Sequence, residues 1–237
     1  MYRRAARSDT RSLSASLAAV MPGWFWSSSS TRSARAVGLS SWFMTSRNSG
    51  SGSSGIDRSL RGMSELRETP EIETMLGSLE RQRRIFAWKC GGLDAAGMRA
   101  TAAASAMTLG GLVKHMALVE DDMFSEKLLG HPPASVWRGV DWDADPDWEW
   151  RTAADDTPEE LMALWAETVD RSRAHVAKAL AEGGLDRRAV YVGRGGESPT
   201  LRRLLIDMIE EYARHAGHAD LIRESVDGLV GEDPPAG

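Results

Sequence analysis

At 237 residues the chain is long enough for one domain or two small ones, and its 34 acidic residues outweigh 29 basic ones for a formal net charge of −5. That balance removes the electrostatic driving force for nucleic-acid binding, and no run approaches the roughly 20 apolar residues needed to span a bilayer. Cys90 is the only cysteine, so no intrachain disulfide is available and a reducing, cytoplasmic setting is expected.

Residues 1–62 differ from everything after them. They hold nine Arg, no Lys or Glu, and only Asp9 and Asp57 as acids, amid Ser- and Gly-rich runs such as Ser27–Ser30. With no apolar period long enough to bury a helix face, this head is expected to be disordered. Three readings compete for it. An Arg- and Ser-rich, acid-poor start resembles an organelle transit peptide, and Arg3-Arg4 before Leu13–Met21 resembles a broken export signal. The third, adopted here, is translation assigned too far upstream, with Met63 or a nearby codon as the start. Trp24, Phe25, Trp26, Trp42 and Phe43, unusual in a working linker, favour it. Residues 63–237 then form the domain, and everything after residue 62 carries 32 acidic against 20 basic residues.

Four helices follow in chain order. The first is predicted over Glu71–Lys89, with Ile72, Met75, Leu76, Leu79, Ile85 and Phe86 in approximate helical register and Gly91-Gly92 as the stop. Cys90, beside that stop, reads as a small buried residue. The second begins at Thr108 as N-cap and ends at Gly130, before Pro132-Pro133. Its Leu112, His115, Met116 and Val119 follow i, i+3, i+4, i+7, which puts His115 on the apolar face.

The link over residues 131–156 is long for a helical connection. Trp137, Trp142, Trp148 and Trp150 lie in it, either to anchor it over the bundle end or to wall a pocket. Asp141, Asp143, Asp145 and Asp147 alternate as in a calcium loop, but the central Gly and closing Glu of an EF-hand are missing. Thr157-Pro-Glu-Glu160 then forms a capping box that opens the third helix, with Leu161, Leu164, Trp165, Val169, Val176 and Leu180 as its apolar stripe. Gly193–Gly196 reads as a flexible turn, and Ala189–Val192 is too short to found a sheet. The fourth helix is predicted from Ser198-Pro199 to about Val226. The fold class is therefore all-α, a four-helix bundle. Its long crossover between helices two and three lets those two run parallel, giving an up-down-down-up order.

The chemistry concentrates in Glu211-Tyr-Ala-Arg-His215-Ala-Gly-His218. Residues at i and i+4 share a helix face, and the interleaved Leu204, Leu205, Met208 and Tyr212 aim that face at a core. A lone carboxylate buried there is costly unless it finds a partner. Taken singly, His115 reads as a hydrogen-bonded core histidine, and Glu211 with His215 as an exposed ion pair. Together they form a two-His, one-carboxylate set that leaves coordination positions open, as catalytic metal sites do. Zinc is the expected ion, with nickel, manganese and iron as alternatives. His218 is a secondary ligand candidate, because it lies about 60° around the helix from His215.

The Gly-Leu-Val-Lys-His115 helix, the Glu211-x-x-x-His215-x-Gly-His218-x-Asp-Leu helix and the acidic, tryptophan-rich Asp141–Trp150 between them carry a resemblance. They resemble the DinB-like four-helix superfamily, in particular its DUF664-type "mini-circle" branch, over about residues 71–231. This superfamily is unrelated to the DNA polymerase called DinB. The resemblance implies a metal-binding bundle and, from characterised relatives, a thiol-dependent transferase or isomerase that uses mycothiol or bacillithiol on a small molecule. Glu211 stands where many relatives carry the first histidine of a His-x-x-x-His pair, as in mycothiol-dependent maleylpyruvate isomerases. His218 stands where others carry Gln. The expectation is a divalent-metal-dependent, mycothiol-type transferase or isomerase, with a metal-dependent hydrolase or a non-catalytic metal-binding bundle as alternatives. Apolar positions on the outer helices are expected to serve a homodimer.

Overall fold

The computed structural model describes residues 70–235. The readings of residues 1–62 fall outside that range. Six α-helices follow one another: α1 (Glu71–Cys90), α2 (Ala95–Arg99), α3 (Leu109–Glu120), α4 (Trp148–Thr152), α5 (Pro158–Gly183) and α6 (Leu201–Asp227). Four of them are the long helices that the periodicity predicts. Short α2 and α4 lie in the connections and carry no stripe long enough to be read. Among the described residues, extended pairing is limited to two isolated bridges, Thr101–Thr108 and Arg188–Thr200.

Local chemistry sets the helix ends. The Thr108 hydroxyl accepts the Gly111 N–H at 3.0 Å, and Asp94 does the same for Gly97 at 2.8 Å. At α5 the capping box is complete: the Thr157 hydroxyl accepts the Glu160 N–H, and the Glu160 carboxylate accepts the Thr157 N–H. The start of α6 differs from the expected Ser198-Pro199. Pro199 stays extended because its carbonyl accepts the Ala189 N–H at 2.8 Å, and Thr200 becomes the N-cap. Beyond α6, Gly228 adopts φ 74°, the left-handed conformation that ends a helix without a Cβ clash.

The second predicted helix is not uniform. After Glu120 it widens into a π-helical stretch, Asp121–Lys127. Such a stretch admits an extra residue per turn and rotates everything downstream. Here it lets Asp121 turn inward, where its carboxylate accepts the Ala134 N–H at 2.8 Å and ties down the start of the crossover.

Side-chain pairs fix the directions. Arg202 meets Glu71 at one end of α1 and Asp220 meets Lys89 at the other, so α1 and α6 run parallel. Gly110 packs on Leu161, Ser172 donates to the Glu120 carbonyl, and Ser125 meets His175, so α3 and α5 also run parallel. Tyr212 reaches Glu120 while His215 reaches His115, which makes α3 and α6 antiparallel. The order is up-down-down-up, as the long crossover predicts.

The centre of the bundle is polar in one place. Glu120, 0% exposed, accepts two hydrogen bonds from Arg83, each 2.8 Å, and one from the Tyr212 hydroxyl at 2.7 Å. Tyr212 in turn accepts from the Trp165 indole at 2.9 Å. Every member is satisfied, as a buried ion pair requires. Around it pack Leu79, Phe86, Leu112, Met116, Leu205 and Met208, all buried.

Candidate metal centre

The antiparallel crossing of α3 and α6 brings His115 against His215, ring centroids 5.0 Å apart and inclined at 68°. One turn before His215, Glu211 presents its carboxylate on the same face. His215 Nε2 and Glu211 Oε2 lie 3.4 Å apart without a hydrogen bond, and both atoms are buried with no other partner. One ligand atom from each of His115, Glu211 and His215 can be chosen so that all lie within 4.8 Å of one another. Bonds of about 2.0–2.2 Å to zinc place tetrahedral donors roughly 3.5 Å apart. The α6 pair already has that spacing, and His115 has at most about 1.3 Å to close.

The electrostatics suit neutral imidazole and ionised carboxylate. Burial pushes the His215 proton affinity below that of free imidazole, against the opposing pull of Glu211. Burial also resists ionisation of Glu211, but His215, His115 and Arg214 outweigh it and hold its carboxyl below the ordinary glutamate value. Two orphaned buried polar atoms beside a third ligand are a donor set that fits a divalent ion.

His218 does not join this set. Its Nδ1 lies 3.3 Å from Nδ1 of His215, on the ring nitrogen that does not meet Glu211. One of the two nitrogens donates to the other. With the proton on His215 Nδ1, its Nε2 keeps a lone pair toward Glu211.

The crossover closes one side. Trp150 stacks on His115 with centroids 4.6 Å apart and 24° from parallel, and its ring lies 6.3 Å from that of His215. Glycine makes this approach feasible. A Cβ on Gly111 would sit 2.8 Å from the Trp150 ring, closer than real Cβ atoms come to anything. Lys114 sits over the Trp148 ring at 4.8 Å, and Arg99 donates to the Ala154 carbonyl at 3.0 Å, which pins both ends of α4. Trp137 and Trp142 contact Trp148 edge-on, so these three anchor the link while Trp150 walls the site.

Glu149 is the residue the sequence reading passed over. It is buried, its Oε1 lies 3.1 Å from Nδ1 of His115, and its Oε2 has no partner. Seven acids crowd this link, and spacing does not single one out. The only signal is its place between Trp148 and Trp150.

Other residues of chemical interest fall elsewhere. Cys90 is buried and burial pushes its thiol well up, the inert condition expected of it. Asp141 folds into a turn by accepting the Asp143 and Ala144 N–H groups. Gly193–Gly196 is a turn closed at 2.9 Å. Arg223 caps the end of α1 by donating to the carbonyls of Lys89 and Gly91. His131 and His175 meet edge to face away from the triad, 4.8 Å between centroids.

Among the described residues no helix is long and apolar enough to cross a membrane. The family described as MST, mycothiol-S-transferase, matches the chain over residues 74–228. No curated protein and no solved structure matches it.

Proposed function

The chain belongs to the mycothiol S-transferase family, and from that membership we propose that its α3–α6 crossing is a divalent-metal site at which a low-molecular-weight thiol of the mycothiol type is delivered to a small electrophile. His115, Glu211 and His215 would hold the ion. When bound, it supplies positive charge that favours the thiolate over the thiol. The chain's own residues do the rest. Trp150 shields one side of the site from water, and the buried α6 pair keeps the donors in their unprotonated forms. Three protein donors leave a place for the thiol sulfur. In the transfer, that sulfur forms a bond to an electrophilic carbon while the leaving group departs with its electron pair.

The observation that carries this reading is the pair of buried atoms, Glu211 Oε2 and His215 Nε2, facing each other at 3.4 Å with nothing else to bond. Elemental analysis of untagged protein, followed by mycothiol conjugation against a panel of electrophiles, tests it. Stoichiometric metal and thiol turnover, both lost in His215→Ala, are expected. Full turnover by a metal-free protein would sink the metal part of the reading. Metal without any thiol turnover would sink the transferase part.

A further inference from the structure

A metal-ligating histidine almost always has its other ring nitrogen hydrogen-bonded, and that second bond fixes both the tautomer and the plane of the ring. His215 has His218 in that place. His115 needs a separate partner, and α3 itself offers none. Lys114 turns toward Trp148 and Asp156, and Met116 is buried in the core.

Resting on the metal site proposed above, we propose that Glu149 is the positioning residue of His115. It accepts the Nδ1 proton and thereby presents Nε2 to the ion. Three observations converge on it. Its Oε1 lies 3.1 Å from His115 Nδ1, and the carboxylate, being acceptor-only when ionised, forces that nitrogen to be the donor. Its side chain is 4% exposed, a degree of burial that a link residue facing solvent would not have. Finally, it rides on α4 directly before Trp150, whose ring lies against the same imidazole. His115 is thus held from two sides by consecutive residues, Glu149 setting its rotation and Trp150 its plane.

This gives the crossover a function beyond closure. The short α4 helix is docked by Gly111, Lys114 and Arg99, and through Glu149 that docking decides where the third ligand points. A bundle without α4 in place would keep the Glu211–His215 pair and lose the aim of His115.

The test is zinc affinity, measured by competition with a chromophoric chelator, on the full chain and on Glu149→Ala and Glu149→Gln. Circular dichroism confirms that each variant is folded. Glu149→Ala is expected to weaken zinc binding by about 10- to 100-fold. Glu149→Gln keeps an acceptor but loses the charge, so a smaller loss is expected. Cobalt substitution provides a second readout that simple destabilisation does not move. The visible bands of the cobalt form should change in intensity and position, strongly in Glu149→Ala, where the ligand ring is free to rotate, and less in Glu149→Gln, where a neutral and weaker acceptor still holds it. Wild-type affinity and an unchanged cobalt spectrum in Glu149→Ala would overturn the positioning role while leaving the metal site intact. If Glu149→Ala does not fold, the same two results in Glu149→Gln would overturn it. Failure of the wild-type chain itself to bind zinc or cobalt would overturn both this role and the site on which it rests.

Discussion

Trp150 and His115 form a stack with 4.6 Å between ring centroids, which couples the tryptophan-rich crossover to a candidate ligand on α3. An indole this close to a metal ligand is an optical reporter. Nickel or cobalt at the site should quench part of the tryptophan emission. Trp150→Phe should remove that part while leaving the stack and the metal affinity largely in place. Equal quenching in the variant would mean that the metal sits elsewhere.

The glycine behind that stack makes a second prediction. Gly111→Ala places a Cβ 2.8 Å from a rigid ring, so either α4 lifts or α3 shifts. Overpacking of this kind costs about 1–3 kcal/mol. Gly77→Ala, in α1 with nothing within 4 Å of the added Cβ, should instead stabilise by about 0.5–1 kcal/mol. Urea unfolding of the two variants checks the opposite signs.

Metal binding to the native state should raise its stability by about 2.7 kcal/mol when the free ion is at one hundred times its Kd. A chelator should lower the melting temperature and zinc should restore it. His215→Ala should abolish that response. His218→Ala should only reduce it, since His218 contacts the far nitrogen of His215. The larger loss in His218→Ala would overturn the ligand assignment.

Glu120→Ala should be among the most destabilising changes in the bundle. It leaves Arg83, 3% exposed, with only the Glu80 carboxylate as an ion-pair partner, and takes the acceptor from the Tyr212 hydroxyl. Removing one partner of a buried ion pair costs about 3–5 kcal/mol. The double variant Arg83→Met with Glu120→Leu should recover much of that loss. Denaturant midpoints of the single and double variants decide it.

The π-helical stretch carries a pH dependence of its own. Burial, then the nearby Asp122 and Asp121 carboxylates, push Glu126 from 4.5 to about 7, with Lys127 opposing. The folded chain therefore holds a proton that the unfolded chain has lost between those values. The resulting stability is present at low pH and falls away as pH rises through about 7. Glu126→Gln should raise the melting temperature at pH 8 and leave it nearly unchanged near pH 4.5. A shift of equal size at both ends would contradict this.

The four long helices were legible because each rests on a local period. Glu211 and His215 share a face by spacing alone, and Thr157 with Glu160 announces α5. What escaped depends on contacts across the chain. Pro199 stays out of α6 because Ala189 claims its carbonyl. Glu120 is drawn inward by Arg83 and Tyr212, neither of which α3 itself reveals. Glu149 owes its burial to α4 docking on glycines some forty residues earlier, and no window of sequence holds both.

The parallel pairing of α1 with α6 and of α3 with α5 also has a kinetic side. His115 and Glu211 stand about a hundred residues apart in sequence, and they meet only after the crossover has folded back and α6 has docked. An ion that needs both helices has little to grip in a half-assembled chain. Its effect therefore belongs to the exit from the native state. Zinc should lengthen the lifetime of the folded protein by slowing unfolding and leave the refolding rate nearly untouched.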